Sequence, residues 1–291
     1  MTTQQLVLSL VLATMVFSVA LELRVDDFRR VAETPRAVFC GLIPQFVLLP
    51  GATWLATLAL DLPPNIEAAM ILVAACPGGS LSNVVTHFGR GNTALSVSIS
   101  AVAAVMALVL TPFNFAWMMA TNPATAGWMR SLAIDASDIW WSLLALLALP
   151  MALGLALGHR APALTARIRR PLGTFSMVAL LAFIAVGLVA QRALLNAQIL
   201  PQLGIVILHN AGGLALGWLC ATAFRVAERD RRAIMIEGGM QNSGLALGII
   251  AVTFNADLGM VIIASLWGIW HIVSGLTLAI AWRRKDARLD R

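Results

Sequence analysis

Apolar residues run along this chain in nine long stretches, at roughly 4–22, 37–60, 66–89, 93–120, 136–158, 171–191, 201–224, 231–253 and 257–282, parted by short polar loops. A hydrocarbon core about 30 Å thick is crossed by about 20 apolar helical residues, so each stretch predicts one transmembrane helix. Two of them are interrupted by near-matching polar clusters. Helix three carries Ala75-Cys76-Pro77-Gly78-Gly79-Ser80-Leu81-Ser82-Asn83, and helix eight carries Glu237-Gly238-Gly239-Met240-Gln241-Asn242-Ser243-Gly244. Backbone groups freed by a helix break find no water in hydrocarbon. Such a break is expected where it lines a cavity, and two in matching places point to a transport site between inverted repeats. Helices two to four and seven to nine form two blocks of opposite direction. The expected fold is therefore an all-α membrane protein, a single unit over 1–291 with nine transmembrane helices, inverted repeats and two broken crossing helices. Helices one, five and six are left over and would suit a separate scaffold layer.

Composition agrees with this reading. Hydrophobic residues make up 59% of the 291 positions and charged residues 12%, with a mean hydropathy of +0.85. A soluble domain carries roughly 25% charge. The net charge of +6 does not read as a nucleic-acid surface, because its distribution follows the loops. Alternation of the helices places eighteen of the twenty Lys and Arg residues on one side, from Arg24 to Arg291, and only Arg130 and Arg192 on the other. That positive-inside bias puts Met1 outside and the tail after Trp282 in the cytoplasm, in a cell (inner) membrane. Trp54, Trp117, Trp128, Trp140 and Trp141 fall near the outer ends, as an interfacial belt would. No Lys or Arg precedes the first apolar run, so it reads as a helix and not as a signal peptide. Cys40, Cys76 and Cys220 lie in apolar spans far apart in sequence and read as small buried hydrophobes.

Glu237 is the acidic residue well inside a span, where a carboxylate usually faces a cavity, a partner or an ion. Pairing with Arg232 is the bland alternative. Against it stands the poor helix former that follows, rich in oxygen ligands of the kind a hard cation takes. Ser82 and Asn83 stand at the first break. Ser96 and Ser100 in helix four share a face, and Ser98 points elsewhere. Gln45, between Pro44 and Pro50, could join Gln241 at a second cation site or act as helix–helix glue. Where helices resume near Ser82 and Asn242, half-helix N-termini bring roughly half an elementary charge each, favouring an anionic group. That places substrate near Ser80, Asn242 and His271. His209, Asn210 and His271 each also read as hydrogen-bonded packing residues.

These residues resemble the bile acid:sodium symporter family. The resemblance rests on Cys76-Pro77-Gly78-Gly79 through Ser82-Asn83, on Arg90-Gly91-Asn92-Thr93-Ala94-Leu95-Ser96, on Glu237 to Gly244, on Leu208-His209-Asn210 and on Trp270-His271. It runs in order from helix one to helix nine. It implies a panel domain of helices 4–22, 136–158 and 171–191 against a core of 37–60, 66–89, 93–120, 201–224, 231–253 and 257–282. It also implies two Na+ sites. Ser82, Asn83, Ser96, Ser100 and Glu237 would form the first; Gln45 and Gln241, with main-chain carbonyls around Glu237, Gly238 and Met240, the second. Ser100 and Gly238 stand where relatives often have Thr and Val. Ile272 follows Trp270-His271 where some relatives have Asn, and Ser80-Leu81 replaces a Thr-Ala pair; both changes border the expected substrate cavity.

The expected function is sodium-coupled symport of a small organic anion by alternating access, either a bile-acid-like steroid or a smaller carboxylate, with the lipid bilayer as the other partner. Proton coupling through Glu237, or a passive channel or sensor, is the alternative. An intramembrane enzyme is disfavoured, because His87, His159, His209 and His271 are scattered, and the one lysine, Lys285, lies in the tail, which excludes a Schiff-base photoreceptor.

Overall fold

The computed structural model describes residues 3–23, 25–190 and 192–289. Met1, Arg24 and Arg291, which entered the sidedness reading, lie outside them, as do the side chains of Arg30 and Arg192. The chain begins with α1 (Thr3–Ala20), followed by a short amphipathic α2 (Val25–Glu33) in what the hydropathy pattern gives only as a loop. Next, α3 (Pro35–Ile43) runs through a π-helical turn at Pro44–Leu48 into α4 (Leu49–Leu60). Pro50 has no N–H to return to the Phe46 carbonyl, and Asn114 Nδ2 donates to that oxygen instead at 2.9 Å. Asp61 closes α4 in the left-handed region at φ 45°.

Both predicted breaks are present. The first separates α5 (Pro64–Ala75) from α6 (Leu81–Phe88). Its cause is Pro77, which pushes the preceding residue out of the helical region; Cys76 is extended at φ −71°, ψ 151°. After α7 (Thr93–Thr121), α8 (Pro123–Ser131), α9 (Ala136–Arg160), α10 (Pro162–Ala190) and α11 (Arg192–Ala223), the second break separates α12 (Glu228–Gly239) from α13 (Ser243–Thr253). Here Gly238-Gly239 are weak helix formers, and the Asn242 side chain caps the new helix by accepting from Leu245 N at 2.9 Å. The last helix, α14, spans Leu258–Leu289.

Among the described residues, Pro35–Leu60, α7, α9, Ile199–Ala223 and α14 are long and apolar enough to cross a membrane, and Leu6–Ala20, Pro64–Ala75 and Ser243–Thr253 are shorter apolar helices. Packing divides the helices unevenly. α1 lies against α9, α10 and α13, whereas α11 lies against α12 and α14. The α11–α12 contact is close because it is built of glycines. A Cβ on Gly213 would stand 2.6 Å from the Gly238 carbonyl oxygen, and one on Gly238 2.9 Å from the Gly213 oxygen. Aromatic pairs form at Trp54–Trp117 and Trp140–Trp141, and Trp128 stacks on Phe254.

Two contacts add to the sequence reading. Cys40 and Cys220, far apart in the chain, meet with their sulfurs 3.6 Å apart. Glu67, in the first turn of α5, is buried as completely as Glu237. It accepts from Leu62 N at 3.1 Å and Asn122 Nδ2 at 2.9 Å, a polar knot at the start of α5.

Candidate functional site

The two breaks are laced together by their backbones. Asn242 N donates to Pro77 O at 2.8 Å, Gly79 N donates to Met240 O at 3.1 Å, and Gly78 and Gln241 form an antiparallel bridge. Each incoming half-helix ends in a carbonyl that has lost its helical partner. Thr111 Oγ1 of α7 donates to Ala75 O at 2.7 Å, and Asn210 Nδ2 of α11 donates to Gly239 O at 2.6 Å. These caps let the chain unwind inside an apolar body.

Glu237 sits at the centre of the crossing with no exposed surface. Three hydroxyls converge on its carboxylate. Ser82 Oγ donates at 2.6 Å, Ser96 Oγ at 2.5 Å, and Ser100 Oγ reaches both oxygens at 3.1 and 3.3 Å. Asn83 joins through its Oδ1, 3.4 Å from Ser100 Oγ. Ser98, on the other side of α7, returns its hydroxyl to Ala94 O at 3.0 Å. A Cβ on Gly78 would meet Glu237 Oε2 at 2.6 Å and Gln45 Nε2 at 2.7 Å, so only glycine lets the first break approach so closely. The bland pairing with Arg232 does not occur. Arg232 turns away to a bidentate bond with Asp286, at 2.7 and 2.8 Å, and also donates to Gly89 O at 3.1 Å. No Lys, Arg or His among the described residues pairs with the Glu237 carboxylate.

The second group of oxygens lies alongside. Gln45 Nε2 donates to Glu237 O at 3.1 Å and to Glu237 Oε2 at 3.2 Å, while Gln45 Oε1 is buried without a hydrogen-bond partner. The Gln241 amide is satisfied when its nitrogen donates to Cys76 O at 2.8 Å and Pro77 O at 3.2 Å. Its oxygen then faces the Gly238 carbonyl about 3.4 Å away, acceptor towards acceptor. An orphaned amide oxygen and two facing oxygens, beside an unpaired carboxylate, suit a hard cation that takes oxygen ligands.

A cleft opens against this crossing. Met15, Val16 and Val19 of α1 and Leu147 and Met151 of α9 form one wall; Pro77 and Asn242 bring one residue from each break to the other. Of the three residues expected near substrate, Asn242 lines this cleft. Ser80 stands exposed at the start of α6, whose N-terminus has no side-chain cap. His271 is buried on α14 with its ring 5.3 Å from Trp267, and does not line the cleft. His209 is fully occupied in packing. Trp267 Nε1 donates to its Nδ1 at 3.0 Å, which assigns the ring proton to Nε2 and a bond of 2.7 Å to Thr53 Oγ1.

Sequence reasoning missed Thr111 and Asn114, the two side chains of α7 that satisfy carbonyls of other helices. Their signal is faint: polar residues flanking Pro112 in an otherwise apolar run.

A multi-helix body with an ion-competent crossing and a cleft beside it defines a membrane transporter, and comparison with known proteins agrees. The model of the Sodium Bile acid symporter family matches residues 9–198. Over 278 residues, 96% of this chain and 83% of the relative, the chain is 31% identical to the uncharacterized sodium-dependent transporter YocS of Bacillus subtilis. It is also 31% identical over 264 residues to the probable chloroplastic sodium/metabolite cotransporter BASS1 of Arabidopsis thaliana, covering 90% of this chain and 63% of that longer one. With the human ileal sodium/bile acid cotransporter it shares 27% identity over 256 residues, 86% of this chain and 70% of the relative. The chain belongs to the Sodium Bile acid symporter family. It is a multi-pass membrane transporter and not an enzyme.

Proposed function

We propose that this protein is a sodium-coupled symporter of an organic anion that works by alternating access. The observation that carries the reading is Glu237, a fully buried carboxylate in the second half of the chain that gathers three serine hydroxyls and an amide from the first half yet has no cationic side chain beside it among the described residues. An isolated buried carboxylate is strongly disfavoured unless it is compensated. A sodium ion bound among Ser82, Asn83, Ser96, Ser100 and Glu237 supplies the compensation. A second binds where Gln45, Gln241 and the carbonyls of Glu237, Gly238 and Met240 present oxygens. The names of the relatives, sodium-dependent transporter and sodium/bile acid cotransporter, support sodium as the coupling ion.

In this reading the chain crosses the membrane nine times, with α3–α4, α5–α6 and α12–α13 each counted as one crossing, Met1 outside and the tail cytoplasmic. The panel is α1, α9 and α10; the remaining spans form the core. Substrate lies in the cleft between them, its apolar body against Met15, Leu147 and Met151 and its anionic group towards Asn242 and the uncapped start of α6 at Ser80. Ions that neutralise Glu237 also hold both unwound segments in place, so filling the ion sites shapes the substrate site. Such coupling is reciprocal and typically amounts to about 1–3 kcal/mol. The test is uptake of labelled taurocholate and of labelled pantoate into proteoliposomes, with a sodium or a potassium gradient. Uptake of either that requires inward sodium supports the reading. Uptake that follows a proton gradient and ignores sodium replaces it with proton coupling through Glu237, and gradient-independent equilibration replaces it with a channel.

A further inference from the structure

Cys40 and Cys220 have no part in the ion crossing or the cleft. Cys40 lies one turn from the end of α3 and Cys220 one turn from the end of α11; both are buried, and their sulfurs stand 3.6 Å apart. The start of α3 is tied independently to the residue that follows α11, because Arg36 Nη2 donates to Phe224 O at 2.5 Å. A disulfide has an S–S length of about 2.05 Å, so closure requires the two side chains to share a shift of only about 1.5 Å. Cys76, the third cysteine, is buried at the end of α5 in the crossing and has no neighbouring thiol among the described residues.

We propose that Cys40 and Cys220 are a redox-sensitive dithiol, converted by a peroxide into a disulfide that staples α3 to α11. In the first step a sulfur of the pair attacks hydrogen peroxide, the O–O bond breaks, and the products are a sulfenic acid and water. In the second, the other sulfur displaces hydroxide from the sulfenic sulfur, the S–S bond forms, and the lost thiol proton completes a second water. The pair loses two electrons and the peroxide gains them. The staple bears on the ion crossing through the backbone, because α3 continues into the π turn that carries Gln45, and α11 packs through Gly213 and Gly217 against α12. In a reducing compartment such a pair stays as thiols, and a disulfide that forms there is usually transient.

The experiment uses the full chain purified in detergent, treated with hydrogen peroxide, unfolded, alkylated, digested and analysed by mass spectrometry. The expected product is a Cys40–Cys220 linked peptide, two hydrogens lighter than the separate peptides and cleaved by dithiothreitol, with Cys76 still alkylated. Cys40→Ser and Cys220→Ser give no linked peptide while eluting as the wild type does. Recovery of the Cys40 and Cys220 peptides separately, as free thiols or as sulfinic acids, overturns the proposal. Neither outcome depends on sodium or substrate, so it stands or falls apart from the transport reading.

Discussion

The backbone nitrogen of Asn242 donates to the carbonyl oxygen of Pro77 at 2.8 Å, so each broken helix satisfies the other. One interruption alone would strand polar backbone in hydrocarbon; two that cross can share their free groups. The chain therefore needs both breaks, with side-chain caps from the helices on either side.

Removing a cap exposes that dependence. Asn210→Ala leaves the Gly239 carbonyl buried without its 2.6 Å donor, and Thr111→Ala does the same to Ala75 O. An unsatisfied buried acceptor costs about 1–3 kcal/mol. Both variants should unfold at lower temperature than the wild type in detergent, whereas Thr222→Ala, which removes only an exposed back-bond to Trp218 O, should not. Equal melting of all four proteins would remove the caps from the account.

The serines of α7 separate in the same way. Ser96→Ala with Ser100→Ala removes two hydroxyls that reach Glu237, while Ser98→Ala removes one that only reaches back to Ala94 O. Sodium-induced stabilisation should fall steeply in the double variant and stay close to wild type in Ser98→Ala. Similar losses in both would contradict the assigned face.

Gly78 offers a steric test. A methyl group there would overlap Glu237 Oε2 and Gln45 Nε2, two atoms at the crossing of the broken helices, and overpacking typically costs about 1–3 kcal/mol. Gly78→Ala should insert and fold yet lose its response to sodium, whereas Gly51→Ala, where a Cβ meets nothing, should keep it. The check is a thermal-shift titration of both variants with sodium chloride.

Much of this was readable in advance, for identifiable reasons. Pro77, the paired glycines and the Ser–Asn pairs break helices by local chemistry, so a single chain shows them. Ser96 and Ser100 share a face by helical period alone. What escaped depends on partners distant in sequence. Thr111 and Asn114 resemble ordinary polar residues of a helix until Ala75 O and Phe46 O are seen to need donors. Cys40 and Cys220 meet only because α3 lies on α11. The helices α2 and α8 escaped because hydropathy registers long apolar runs, and these are short.

Beyond the last apolar stretch, Asp286 gives a pH signature through its pairing with Arg232. The hydrogen bonds from Arg232, aided by its positive charge, hold the Asp286 carboxyl below the usual range. A depressed carboxyl contributes stability that is present above its unfolded value, about 3.9, and is lost as pH falls from there through the folded value. Melting temperature should thus drop across that acidic window in the wild type, and the gap between wild type and Asp286→Asn should shrink as it does so. A gap that holds constant with pH would mean the pair adds nothing.

The central claim is that Glu237 awaits a sodium ion, and isothermal titration of the purified protein with sodium chloride, matched against potassium chloride, tests it most directly. The account predicts a saturable sodium signal in the wild type, none with potassium at the same ionic strength, and none with sodium in Glu237→Gln, which keeps the shape but removes the charge. Indistinguishable sodium and potassium titrations, or a Glu237→Gln variant that binds sodium as the wild type does, would contradict it.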